Sequence, residues 1–169
     1  VFYYFEQISS IPHGSGNTAP IRDYCVNFAK EHSLRYHTDE LNNVVIYKEA
    51  SAGYENSPAV ILQAHTDMVC QKTEDCTIDF EKDGLDLFVD GDLIGAKGTT
   101  LGADNGLGLA MAMAVLESSD IKHGPIEFLC TIDEETGMTG AMALKPGLLH
   151  GDILINLDSE TEGELYIGC

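Results

Sequence analysis

Apolar residues recur at helical spacing in two stretches of this chain and form short unbroken runs elsewhere. Ile21, Tyr24, Cys25, Phe28 and Ala29 share one face of a 3.6-residue period. Asn17 or Thr18 can cap that face and Pro20 falls in its first turn, which predicts a helix ending near His32. Leu109, Met113 and Leu116 predict a second helix over 105–117, and a short third is expected over 139–144, after a glycine-containing turn. The runs at 44–47, 59–62, 126–132 and 153–157 read as strands, with a last one at 165–167. Between 76 and 93, two short strand patterns separated by Asp-Gly signals predict a hairpin. Strands alternate with helices, so the expected class is α/β, built around a sheet buried on both faces.

This pattern also shows where polar chemistry collects. His65 and Asp67 follow one strand, Glu134 and Glu135 a second, and Asp158 a third, while Asp104 sits in a glycine-rich loop that opens a helix. Open α/β sheets bind ligands beyond the carboxyl ends of their strands. Four separate segments therefore deliver carboxylates and one imidazole to a single sheet edge.

Composition narrows the partners. The 169 residues are 44% hydrophobic, enough for a packed core, and 28 Asp and Glu against 9 Lys and Arg give a net charge of −19. Such a surface repels phosphate backbones and anionic lipid, arguing against nucleic acid and membrane, and it suits divalent cations or a solvated acidic surface that needs no partner. No apolar run approaches a bilayer-spanning length. The opening Val1-Phe2-Tyr3-Tyr4-Phe5 has neither a basic region nor a cleavage site, and the absence of an initial Met is a hint of a longer chain. The five cysteines (Cys25, Cys70, Cys76, Cys130, Cys169) are scattered, without a C-x-x-C, and fit a reducing cytoplasm; Cys25 and Cys130 read as core residues.

Each chemical candidate has an ordinary structural counterpart. In His65-Thr66-Asp67, extended backbone turns residues two apart to one side, so Asp67 can hold the ring nitrogen that His65 does not offer to a metal. Asp104, flanked by Gly102 and Gly106, can bridge two cations or simply cap a helix. Asp133-Glu134-Glu135 places three acids in a row; a cation relieves their repulsion, and adjacent residues face different ways, so one Glu can bind metal while the other serves as general base. The plain alternative is a solvated acidic loop. Asp158 is a further ligand or another cap. Jointly they offer an oxygen-rich set with one His, as in a hydrolytic two-zinc or two-manganese site, not a closed cysteine site. No Gly-Lys-Ser/Thr follows the glycines, Gly106 and Gly108 fail G-x-G-x-x-G, and no G-x-S-x-G occurs. The acids Asp79, Asp83, Asp86, Asp90 and Asp92 miss EF-hand spacing, and His13, His32, His37, His123 and His150 are expected at the surface or in loops.

Four segments in order then resemble one family: Ile61-Leu62-Gln63-Ala64-His65-Thr66-Asp67-Met68-Val69, then 98–108, 131–141 and 154–160, together with the opening Ile8-Ser9-Ser10-Ile11-Pro12-His13-Gly14-Ser15-Gly16-Asn17. Together they resemble the aminoacyl-histidine (Xaa-His, carnosinase-like) dipeptidases of metallopeptidase family M20. The resemblance implies a three-layer α-β-α zinc-peptidase catalytic domain with a mixed central sheet, of which residues 1–169 would be the amino-terminal portion. It implies that His65 and Asp158 bind a first zinc, that Glu135 binds a second and that Asp104 bridges both, with a cis peptide bond to Asn105. Asp67 would orient His65, and Glu134 would be the general base for hydrolysis of a dipeptide; manganese or cobalt are possible substitutes for zinc. A last His ligand and a lid domain that mediates homodimer formation would lie outside the chain. One metal is then expected to bind better than two, the isolated piece to be weakly active or inactive, and exposed sheet edges to favour aggregation. Another two-zinc aminopeptidase, carboxypeptidase or deacylase, or a non-catalytic acidic interaction domain, stay open as alternatives.

Overall fold

Eleven elements account for the regular backbone of the computed structural model, which describes residues 1–159, 161 and 163–168. In chain order they are α1 (Phe2–Ser9), α2 (Ala19–Glu31), β1 (Arg35–Thr38), β2 (Val44–Lys48), β3 (Val60–His65), β4 (Leu87–Asp90), β5 (Leu93–Ala96), α3 (Ala103–Glu117), β6 (Ile126–Thr131), α4 (Thr139–Met142) and β7 (Ile153–Asn156). Glu160 and Cys169, both named from the sequence, lie outside the described residues.

The main sheet has the order β1-β2-β6-β3-β7 and is mixed: β1, β2 and β6 pair antiparallel, whereas β6, β3 and β7 run parallel. Side-chain alternation divides its core. Val44 and Ile46 of β2 and Ile126, Phe128 and Cys130 of β6 face α1, α2 and α3, where Phe5, Ile8, Cys25, Leu109 and Met113 complete the larger cluster. The intervening Val45, Tyr47, Leu129 and Ile61 face the other way and are covered by Leu144, Leu148 and Leu149. The helical layer is thick on one side and reduced to α4 and its following loop on the other.

Several expectations shift. The aromatic opening forms α1, because Tyr4, Phe5 and Ile8 recur at helical spacing and bury against the core. Arg35–Thr38 forms an edge strand that lacks any apolar alternation to announce it. The hairpin is present but sits later than 76–93, with β4 and β5 meeting around Gly91 and Asp92. Residues 165–167 are not a strand; Leu165 and Ile167 are fully exposed and pair with nothing among the described residues. Burial on both faces holds for β2 and β6 but not for β7, whose four residues are exposed at the sheet edge.

Because β3, β6 and β7 are parallel, their carboxyl ends emerge on the same edge. Thr66 donates its backbone N–H to the Thr131 carbonyl at 2.8 Å, and Leu157 donates to the Gln63 carbonyl at 2.9 Å. These bonds carry the strand register past the strand ends and bring the loops that follow to fixed places.

Candidate metal centre

His65 closes β3 and is buried, and its ring is the hub of the site. Its Nε2 lies 3.0 Å from Asp104 Oδ1 and 3.6 Å from Asp158 Oδ2. Asp104 reaches this point from the start of α3, where Gly102 sits at φ +68 with Met68 Sδ only 2.9 Å from where a Cβ would stand. Only glycine combines that left-handed backbone with that close approach. The Asp104–Asn105 peptide bond is cis, as the resemblance implied. Ligand atoms of His65, Asp104 and Asp158 lie within 4.8 Å of one another, and so do those of His65, Glu134 and Glu135.

Behind the ring, the Asp67 side chain is fully buried. Its Oδ1 accepts the Glu134 N–H at 3.0 Å, and its Oδ2 accepts the Glu135 N–H at 3.3 Å and the Ser15 hydroxyl at 2.7 Å. His65 Nδ1 is 2.9 Å from the Asp67 backbone carbonyl and 3.5 Å from its carboxylate. The sequence pattern assigned that nitrogen to the carboxylate; the closer partner is the main chain, since the carboxylate is engaged with three other donors.

Negative charge is concentrated here, and the one group that offsets it is the His65 ring itself. Burial works against an imidazolium at His65, but the carboxylates of Asp67 and Asp104 outweigh it and push the ring up to about 9. Burial likewise opposes the Asp67 charge and is outweighed by His65, Ser15 and the Glu134 amide, which bring it down to about 2. Glu135 and Asp158 are both shifted upward, first by burial and then by the negative charge of Asp104. Among the described residues, every Lys or Arg ion pair is made elsewhere, with Asp23, Glu49, Asp79 or Asp86. The carboxylates of Asp104, Glu134, Glu135 and Asp158 around one imidazole, with no Lys or Arg partner, fit a divalent cation in donor type and number.

Glu134 and Glu135 face different spaces. Glu134 lines a cavity of about 240 Å³ with Leu129, Met138, Leu144 and Asp158. Glu135 lines another of about 320 Å³ with Ser15, Cys70 and Phe80.

All six sequence candidates, His65, Asp67, Asp104, Glu134, Glu135 and Asp158, therefore meet at one place. Missed as individual contributors were Ser15 and the pairing of the Gly16 N–H with Asp133 Oδ1 at 2.7 Å. Their segment entered only as part of the family resemblance, with no role for a single residue, and nothing local points to a partner 52 residues away. His13 and His150 both lie in loops as expected; His13 is buried there with Nδ1 at 2.6 Å from the Ile11 carbonyl, and the exposed His150 pairs with the buried Glu127 at 3.0 Å.

Known proteins share this arrangement of sequence and fold. Over 165 residues the chain is 50% identical to the cytosol non-specific dipeptidase of Escherichia coli (strain K12), covering 98% of this chain and 34% of that protein. The crystal structure of aminoacylhistidine dipeptidase from Vibrio alginolyticus superposes with a TM-score of 0.95 at 53% identity, covering 99% of this chain and 34% of that one. A tripeptidase from Staphylococcus aureus superposes with a TM-score of 0.80 at 26% identity, over 95% of this chain and 43% of the other. The chain thus spans about a third of the length of the first two. The family description peptidase family M20/M25/M40 matches residues 61–165, from the strand that ends on His65 to beyond Asp158. With more than half of its length matched in this way, the chain belongs to peptidase family M20/M25/M40.

Proposed function

We propose that this chain forms the metal-binding part of a dipeptidase and that His65, Asp104 and Asp158 hold a first divalent cation, with Asp104 and Glu135 reaching a second. The observation that carries the reading is the meeting of Asp104 and Asp158 at His65 Nε2, at 3.0 and 3.6 Å, without a Lys or Arg partner. One imidazole among carboxylates fits zinc or manganese alike in a hydrolytic centre, and zinc is the metal the family resemblance implies, with manganese or cobalt as substitutes. A cation bound there supplies Lewis-acid polarisation of a peptide carbonyl and lowers the pKa of water.

The chain's own groups do the rest. Asp67 and the Asp67 carbonyl hold the imidazole so that Nε2 faces the acids. Glu134, facing the cavity it shares with Asp158, takes a proton from the attacking water and returns it to the amine that leaves. Glu135 lines the other cavity, and one of its ligand atoms lies within 4.8 Å of those of His65 and Glu134. This division supports one carboxylate as base and its neighbour as ligand.

The relatives' names, one a non-specific dipeptidase and one an aminoacylhistidine dipeptidase, support a dipeptide substrate. Our reading is dipeptide hydrolysis with a preference for Xaa-His. The cytosolic name of the Escherichia coli relative supports a cytoplasmic setting, and no helix among the described residues is long and apolar enough to cross a membrane. The chain spans 34% of these relatives' length, and we further propose, as the family resemblance implies, that a lid domain and homodimer contacts belong to the full-length protein.

The test is a substrate panel on a chain of the relatives' full length: β-alanyl-histidine, other dipeptides and N-acyl amino acids. Cleavage of dipeptides, fastest for Xaa-His, is expected, and Glu134→Gln should lower kcat by about a hundredfold or more without metal loss. Equal rates on all dipeptides would remove the histidine preference, and cleavage of N-acyl amino acids alone would replace the reading with a deacylase.

A further inference from the structure

The segment His13-Gly14-Ser15-Gly16 crosses behind the site and is fastened to both acid-bearing loops. On one side, Gly14 forms a parallel bridge with Met68, and the His13 carbonyl accepts the Met68 N–H at 3.1 Å. Ser15 then donates its hydroxyl to Asp67 Oδ2 at 2.7 Å. On the other side, the Gly16 N–H reaches Asp133 Oδ1 at 2.7 Å, and Asp133 sits at φ +54, at the start of the turn that bears Glu134 and Glu135. That turn is thus held at Asp133 by Gly16 and at the next two amides by Asp67.

Asp67 is the junction. Its Oδ2 is shared by the Ser15 hydroxyl and the Glu135 amide, and its Oδ1 serves the Glu134 amide and faces the His65 ring. The Ser15 bond is the shortest of these, as expected for a hydroxyl on a carboxylate out of reach of water. Without it, Asp67 has one donor fewer to fix the rotation of its carboxylate, and that rotation sets where the Glu134 and Glu135 amides, and with them the two glutamates, stand relative to the His65 ring, which the Asp67 main chain holds.

We propose that Ser15 is a positioning residue for the cation site: through Asp67 it aligns His65 with Glu134 and Glu135, although it touches no ligand itself. The inference rests on the metal-centre reading above and adds a residue to it from a part of the chain remote in sequence. A group that orients a ligand through one intermediate changes affinity by roughly ten- to a hundredfold when lost.

The experiment measures the zinc dissociation constant of the purified chain by competition with a chromophoric chelator, beside thermal melts of the zinc-free protein. Ser15→Ala is expected to bind zinc about tenfold more weakly while melting within a few degrees of wild type. Ser15→Thr, which keeps the hydroxyl, should restore affinity to within about twofold of wild type. Unchanged affinity in Ser15→Ala overturns the inference and leaves the metal centre standing. Ser15→Thr binding as weakly as Ser15→Ala overturns it too, because the hydroxyl is then not what matters. A zinc-free Ser15→Ala chain that melts far below wild type overturns it by showing that the hydroxyl serves the fold. A wild-type chain that takes up no zinc overturns the metal-centre reading and this inference together.

Discussion

Asp67 Oδ1 lies 3.0 Å from the backbone nitrogen of Glu134, so the residue behind the imidazole also anchors the turn that carries the acids. Two strand ends, β3 and β6, are coupled through one buried carboxylate. Asp67→Ala strips the Glu134 and Glu135 amides and the Ser15 hydroxyl of their acceptor. Leaving part-buried donors without their acceptor costs up to about 1–3 kcal/mol each, so a loss of at least about 2 kcal/mol over the three is expected in urea denaturation. An unchanged midpoint and slope would contradict this coupling.

The zinc-free chain should show a pH-dependent stability set by the same pair. His65 is raised to about 9, so its contribution is fully present below its unfolded value near 6.5 and is lost as pH rises toward 9. Asp67 is lowered to about 2, so its contribution is present above its unfolded value near 3.8 and is lost as pH falls toward 2. With chelator present, the Tm should therefore decline between pH 6.5 and 9. His65→Ala should flatten that decline; an equal slope in the variant would assign it to other groups.

Asn43 is buried at the other end of the acidic turn. It accepts the Ile132 N–H at 3.1 Å and donates to the Gly140 carbonyl at 3.0 Å and to Asp39 at 2.7 Å. Asn43→Ala should cost about 2–6 kcal/mol, the sum of two main-chain groups left without partners. Gly140→Ala should also destabilise, by about 1–3 kcal/mol, since its Cβ would stand 2.7 Å from the Ile132 nitrogen and oxygen. Denaturant melts of both variants check this, and Gly140→Ala at wild-type stability would refute the tight fit.

The apolar runs at 44–47, 59–62 and 126–132 were readable because β2, β3 and β6 lie in the middle of the sheet, where burial imposes hydrophobic residues. The elements that escaped notice lie where burial is partial or comes from distant partners. Phe2–Ser9 has the aromatic content of a strand and becomes a helix by packing Tyr4, Phe5 and Ile8 on the core. Arg35–Thr38 lies on an edge and obeys no apolar pattern. At Leu165 and Ile167 the reverse holds: the residues favour a strand, and no neighbouring strand receives them among the described residues. The site was legible to the extent that its residues follow strand ends, which topology alone brings together. Ser15 was not, because its role depends on a fold-wide contact with Asp67 and not on its own surroundings.

The edge strand β7 exposes Ile153, Leu154 and Ile155 beside its unpaired side. An apolar, unprotected edge templates strand addition. Concentration-dependent association in sedimentation velocity is therefore expected for the chain, and Leu154→Lys should reduce it without lowering the Tm. A monomeric wild type at all concentrations would contradict this.

The most direct measurement of the central claim is zinc stoichiometry by native mass spectrometry. We expect one zinc per wild-type chain, none for Asp104→Ala, whose exposed side chain contributes little to the fold, and retention of zinc by Glu134→Gln. A wild-type chain that retains no zinc, or an Asp104→Ala chain that retains as much as wild type, would contradict a cation site centred on His65, Asp104 and Asp158.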